Sequence, residues 1–121
     1  MILRTGVDLI EIARIEEVIK RHGKRYLDRI YTPAELEQSG SLTESLAGRF
    51  AAKEACVKAI GTGIGDISWK EIEILGDEQN APTLKLYGIA EQKANQLGLS
   101  TWSVSISHSQ SHAVAFVVAI G

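Results

Sequence analysis

A chain of 121 residues, 45% apolar and 23% charged, has the length and composition of one compact domain that buries roughly two-thirds of its unfolded surface. Its 13 Lys and Arg against 15 Asp and Glu leave a net charge of −2, which argues against non-specific nucleic-acid binding. The single Cys56 excludes an internal disulfide and fits a reducing cytoplasm, and neither a signal segment nor the ~20 apolar residues of a membrane span stands out in the sequence.

Residues Ile2 to Ile12 predict a strand that runs into a helix. Val7, Leu9, Ile10 and Ile12 form an apolar run interrupted by Asp8, and Ile12, Ile15 and Ile19 then recur at helical spacing. Gly23 ends that helix, and a short segment from Lys24 to Ile30 follows. Thr32-Pro33-Ala34-Glu35 reads as a helix start, with Thr as cap, Pro at the first helical position and Glu reaching back. A second capping box, Ser41-Leu42-Thr43-Glu44, is expected to open the longest helix, which runs to about Ile60 before Gly61. On a helical projection Leu46, Phe50, Val57 and Ile60 make a bulky apolar face, and Ala47, Gly48, Ala51, Ala52, Ala55 and Ala59 a small one. One face fills a core and the other permits close approach.

Gly61 to Asp66 reads as a loop. Ser68 to Leu75 alternates enough to predict an imperfect strand, Thr83 to Tyr87 a second, and Gly88 to Leu97 a helix ended by Gly98. Ser100 to Ile120 predicts a hairpin that turns through Ser107-His108-Ser109-Gln110-Ser111. The expected fold class is α+β: a single domain over residues 1–121, with antiparallel strands packed on a long central helix and shorter helices.

The charge is uneven. Between Arg14 and Arg29, six basic residues (Arg14, Lys20, Arg21, Lys24, Arg25, Arg29) face three acidic ones, a local +3 against −5 for the remainder. A cationic segment on a mildly acidic protein is a candidate docking surface for a more acidic partner.

Asp8 sits among apolar neighbours, where a carboxylate needs a positive or hydrogen-bonding companion. Two readings fit: a strand-end residue that pairs with a cation or caps the next helix, or a metal ligand. Glu54 and Lys58 stand one helical turn apart, an ordinary surface pair were it not for the alanines that surround them. Lys53 falls within the bulky face, where a snorkelling amine and a phosphate contact are both open. Gly61-Thr62-Gly63-Ile64-Gly65 matches neither phosphate-loop pattern and is expected to end the helix and turn the chain. With three histidines and one cysteine, His108 and His112 at the hairpin tip do not suggest zinc, and Cys56 reads as core filler.

Taken together, Gly6-Val7-Asp8-Leu9-Ile10-Glu11-Ile12, Phe50-Ala51-Ala52-Lys53-Glu54-Ala55 with Lys58, and Ser105-Ile106-Ser107-His108-Ser109 resemble the holo-acyl-carrier-protein synthases. These are the small members of the 4′-phosphopantetheinyl transferase superfamily, and the resemblance spans the chain in order. It implies transfer of the 4′-phosphopantetheine arm of coenzyme A to a serine of an apo acyl carrier protein, in support of fatty acid biosynthesis. The second product is adenosine 3′,5′-bisphosphate. It also implies that Asp8 and Glu54 bind Mg²⁺, which accepts one or two protein carboxylates and completes its shell with phosphate oxygens and water. Glu54, through a metal-bound water, is then the expected general base, Asp8 mainly a ligand, and Lys58 the group that stabilises charge on the phosphates. Arg49, Lys53, Lys58, Ser107, His108 and Ser109 are the candidates for holding coenzyme A. Arg14, Arg21, Lys24 and Arg25 are those for docking the acidic carrier. The family's small members are typically homotrimers with sites between subunits.

The competing reading is a non-catalytic module that docks an acidic partner and holds a nucleotide. Two acids from distant segments argue against it, because a docking module has no use for their mutual repulsion. A nucleic-acid-binding domain fails on charge and on the scatter of its aromatic residues.

Overall fold

The structure is a computed structural model that describes residues 1–121. Strand β1 (Leu3–Glu11) passes directly into α1 (Ile12–His22), which Gly23 ends, and α2 (Lys24–Ile30) follows. Helix α3 (Pro33–Ser39) starts at the expected box: Thr32 accepts from the Glu35 amide and Glu35 from the Thr32 amide. The long helix α4 (Thr43–Ile60) begins differently from expectation. Its N-cap is Leu42, without a side-chain cap, because a tight turn in which the Leu42 amide bonds the Ser39 carbonyl sets the entry and leaves Ser41 exposed.

After the loop, Ser68 and Glu71 form a capping box over a 3-10 turn, Trp69–Glu71, where the alternation suggested strand. Strand β2 therefore starts only at Ile72 (Ile72–Gly76) and pairs antiparallel with β3 (Pro82–Leu86). Helix α5 (Gly88–Gln96) leads to the hairpin of β4 (Thr101–His108) and β5 (His112–Ile120). The antiparallel strands form two sheets, β1-β5-β4 and the β2-β3 hairpin. The result is the expected single α+β domain.

The three-stranded sheet places the chemistry because α4 lies across it. Ala113, Ala115, Val117 and Ala119 alternate inward from β5 and are fully buried. Small inward side chains let the helix approach closely. At Gly6 the approach is closest, since any Cβ there would run into the Ala55 carbonyl, so the backbone of β1 touches α4 directly. The small-residue face read from the sequence is thus the face that meets β1 and β5, with Ala51, Ala52, Ala55 and Ala59 wholly buried. The opposite face of the sheet is apolar and uncovered: Leu3, Val7 and Leu9 on β1 and Phe116 and Ile120 on β5 are all exposed.

Candidate active site

Because β1 runs against α4, Asp8 faces the last two turns of that helix. Lys58 Nζ donates to the Val7 carbonyl at 2.9 Å and to Asp8 Oδ1 at 3.3 Å. The Asp8 side chain is 18% exposed and that of Lys58 54%, so the acid is sheltered while the amine spans cleft and solvent. Glu54, one turn before Lys58, is half-buried. Burial lifts its carboxyl above the usual range, the charge of Asp8 adds to that, and Lys58 opposes it. Two carboxylates from segments far apart in sequence therefore share one cleft, with Lys58 the cation that offsets Glu54's shift.

Two cavities adjoin this group. One, of about 410 Å³, is walled by Glu54, Val57, Lys58, Gly61, Gly63, Ile64 and Trp69. The other, of about 540 Å³, joins Asp8, Glu54 and Lys58 to Arg14, Tyr26 and Phe50. Arg14 is thus the member of the basic segment that reaches the acids. Arg25 lies further along, in a groove with His22, Tyr26, Arg29, Phe50 and Trp69. Arg21 pairs with Glu17 at 3.1 Å and Lys24 with Asp28 at 2.6 Å, both on the exposed surface.

Arg49 and His108 gather elsewhere, at a cavity of about 310 Å³ with Glu44, Ser45, Gly48, Asn80, Pro82 and Ile106. Arg49 knits α3, α4 and β2 by donating to Ile74 O (2.9 Å), Ser39 Oγ (2.8 Å), Gln38 Oε1 (2.7 Å) and Ser45 Oγ. One guanidinium N–H is left without a protein partner. Ser109 closes the hairpin turn by accepting from the Ser111 and His112 amides, and lines a neighbouring cleft with Glu16, Glu44 and His108. Ser107 alternates to the other face of β4, opposite Val114, so one chain does not bring it to the cavity that His108 lines.

The structure corrects the expectation for Lys53. Its side chain is wholly buried, and the amine donates to Glu35 Oε1 (2.8 Å), Trp69 O (3.0 Å) and Ile72 O (2.6 Å). All three of its donors are used, so it neither snorkels nor reaches a phosphate. Sequence reasoning also passed over Tyr26, Phe50 and Trp69 as walls of the cavities. Phe50 was assigned to the core, but its contact with Trp69, with ring centroids 5.3 Å apart, depends on the 3-10 turn that the alternation concealed.

Known proteins agree with the fold and with the family that the sequence resembles. The family model described as the 4′-phosphopantetheinyl transferase superfamily matches residues 4–117. A holo-[acyl-carrier-protein] synthase of Herpetosiphon aurantiacus is 48% identical, with 98% of this chain and 99% of that protein covered. The crystal structure of Helicobacter pylori holo-[acyl-carrier-protein] synthase in complex with coenzyme A matches with a TM-score of 0.88 at 37% identity, covering 96% of this chain and 99% of that one. The enzyme of the same name from Neisseria meningitidis matches with a TM-score of 0.86 at 40% identity, covering 98% of each chain. This chain therefore belongs to the 4′-phosphopantetheinyl transferase superfamily.

Proposed function

We propose that this chain transfers 4′-phosphopantetheine from coenzyme A to a serine of an apo acyl carrier protein, in support of fatty acid biosynthesis. The observation that carries the reading is the Asp8–Glu54 pair with Lys58 beside it, in a cleft open to both cavities. The serine oxygen attacks the phosphorus that bears pantetheine, the bond to the nucleotide half breaks, and adenosine 3′,5′-bisphosphate leaves. Glu54 takes the serine proton. Burial and the charge of Asp8 raise its affinity for a proton, which makes it a better base than an exposed carboxylate. Lys58, with more than half its side chain exposed, offsets charge on the phosphates.

Mg²⁺ fits the donor set. Asp8 and Glu54 offer only oxygens, two half-sheltered carboxylates that repel each other, and a hard dication takes one or two such ligands and fills its shell from water and phosphate. When bound there it would neutralise charge on the pyrophosphate.

Arg49 and His108, with Ser109 beside them, are the side chains we assign to the nucleotide end of coenzyme A. Five residues separate Arg49 from Glu54, which turns them by roughly 140° about the axis of α4. One chain thus presents the two halves of the site on different sides of the helix. A homotrimer answers both this and the uncovered apolar face of β1 and β5, with the acids of one copy completed by Arg49, His108 and Ser109 of the next. Arg14, Arg21, Lys24 and Arg25 form the docking face for the acidic carrier. A cytoplasmic location fits Cys56, which is free and buried in α4; no helix is long and apolar enough to cross a membrane.

The decisive experiment is incubation with coenzyme A, Mg²⁺ and an apo acyl carrier protein, read by intact mass. A gain equal to the phosphopantetheine arm is expected, and its absence would overturn the assignment.

A further inference from the structure

The last turn of an α-helix offers carbonyls with no helical donor left to bond them. In α4, Arg4 supplies those donors from β1: Nε bonds the Ala59 carbonyl and Nη2 the Ile60 carbonyl, each at 2.9 Å. In the other direction Lys58, from the same turn, bonds Val7 and Asp8 on β1. Two cations thus lace the strand and the helix together on either side of the Gly6–Ala55 contact.

Arg4 also touches the loop that follows. Gly61 adopts φ 89°, and a Cβ there would meet Arg4 Nη2, so the guanidinium lies over the first residue of the loop. Gly61, Gly63 and Ile64 of that loop wall the cavity that contains Glu54 and Lys58. The far end of the loop is tethered by Lys93 Nζ to Asp66 Oδ1 at 2.9 Å. The tethers differ in strength. Asp66 is mostly exposed, and such an ion pair is screened and worth little. Arg4 is half-buried and makes two charge-assisted bonds at a helix C-terminus, where the dipole favours a cation.

We propose that Arg4 is a positioning residue for coenzyme A: it holds the last turn of α4 and the Gly61–Asp66 loop so that Lys58 and the loop face the pyrophosphate. The inference rests on the transferase reading above. Arg4 touches no substrate in this arrangement and acts through Lys58 and the loop. Its loss is therefore felt by coenzyme A and not by the carrier, which docks on α1 and α2.

The test compares wild type with Arg4→Gln, Arg4→Lys, Gly61→Ala and Lys93→Ala. Transfer is assayed with each substrate varied, and coenzyme A binding is measured by calorimetry without carrier on the same preparations. Arg4→Gln should raise both KM and Kd for coenzyme A about five- to tenfold while the KM for carrier stays within about twofold. Lys93→Ala should stay within about twofold of wild type, and Arg4→Lys, which keeps the charge but not the two-pronged fork, should fall between wild type and Arg4→Gln. Gly61→Ala displaces the guanidinium without removing it and strains the loop backbone at φ 89°; it should weaken coenzyme A binding in the same direction, which gives an answer even where Arg4→Gln does not fold. Wild-type coenzyme A affinity in Arg4→Gln or Gly61→Ala, whatever the melting temperature, overturns the proposal, as does an equal rise in both KM values or a Lys93→Ala effect as large. A wild type that binds coenzyme A without transferring anything defeats the transferase reading instead, and the calorimetry still decides the role of Arg4.

Discussion

Lys53 and Glu35 meet at 2.8 Å with neither side chain reached by solvent. Each is otherwise saturated: the amine by Trp69 O and Ile72 O, the carboxylate by the amides of Thr32 and Ile74. The pair therefore pins α3, α4, the 3-10 turn and β2 at one point, next in sequence to Glu54. Burial pulls the Lys53 ammonium below its usual range, and the charge of Glu35 resists. Removing one partner leaves the other buried and uncompensated, at a cost of about 3–5 kcal/mol. Lys53→Met should lose roughly that much stability in urea unfolding. Lys53→Met with Glu35→Leu should lose clearly less than the sum of the single losses. Strict additivity would mean that the two do not act as a unit.

The same pair marks how far the sequence could be read. The Thr32–Glu35 box was legible because capping needs only local spacing, and it formed. That Glu35 also serves a lysine eighteen positions away was not, because the pairing depends on how α3 packs against α4. Lys53 accordingly looked like a displaced surface amine. The similar box at Ser41 did not form because the turn out of α3 already fixed the entry to α4. Asp8, Glu54 and Lys58 stand out by their motifs, and the small face of α4 allows the close approach that brings the three together. The placement of Ser107 was not legible as a neighbour of His108: adjacent residues on a strand point to opposite faces, so the two do not share one cavity within a chain.

Glu54 carries a cost that the proposed chemistry requires. Burial and Asp8 raise its proton affinity above the ordinary value of 4.5, so the folded chain holds that proton to higher pH than the unfolded chain does. The stabilisation is therefore full below about pH 4.5 and is lost as pH rises through the raised folded value. Glu54→Gln removes the charge and escapes the loss. It should melt above wild type at pH 7, with the gap closing as pH falls below the carboxylate range, and transfer should drop at least about a hundredfold. Melting curves across pH 3–8 test the first part, and a Glu54→Gln protein less stable than wild type at pH 7 would contradict it.

Arg14 stands at the boundary between the acids' cavity and the basic face, whereas Arg21 is held on the surface only by Glu17. If both meet the carrier, their loss acts on encounter and orientation. Arg14→Ala and Arg21→Glu should raise the KM for carrier while coenzyme A affinity stays nearly unchanged. The effect of Arg21→Glu should shrink at high salt, because exposed charges are screened over about 10 Å at 0.1 M ionic strength. Equal losses for both substrates would remove these residues from the docking face.

Val7 and Phe116 are direct cross-strand partners, and both are exposed on the apolar face of the sheet, 53% and 45% respectively. Phe116→Lys places a charge at the centre of that face and should convert an assembled protein to monomers, read by sedimentation. The sharper measurement exploits the division of the site along α4. On the proposed roles Glu54→Gln loses the base and His108→Ala a coenzyme A contact, so each variant alone should be slow. When the two are unfolded together and refolded at equal concentrations, a site that draws Glu54 from one copy and His108 from the next is intact in about a quarter of cases, by random assortment within a closed ring. Activity should then recover to roughly that fraction of wild type. A site made within one chain recovers nothing, because every copy carries one of the two lesions.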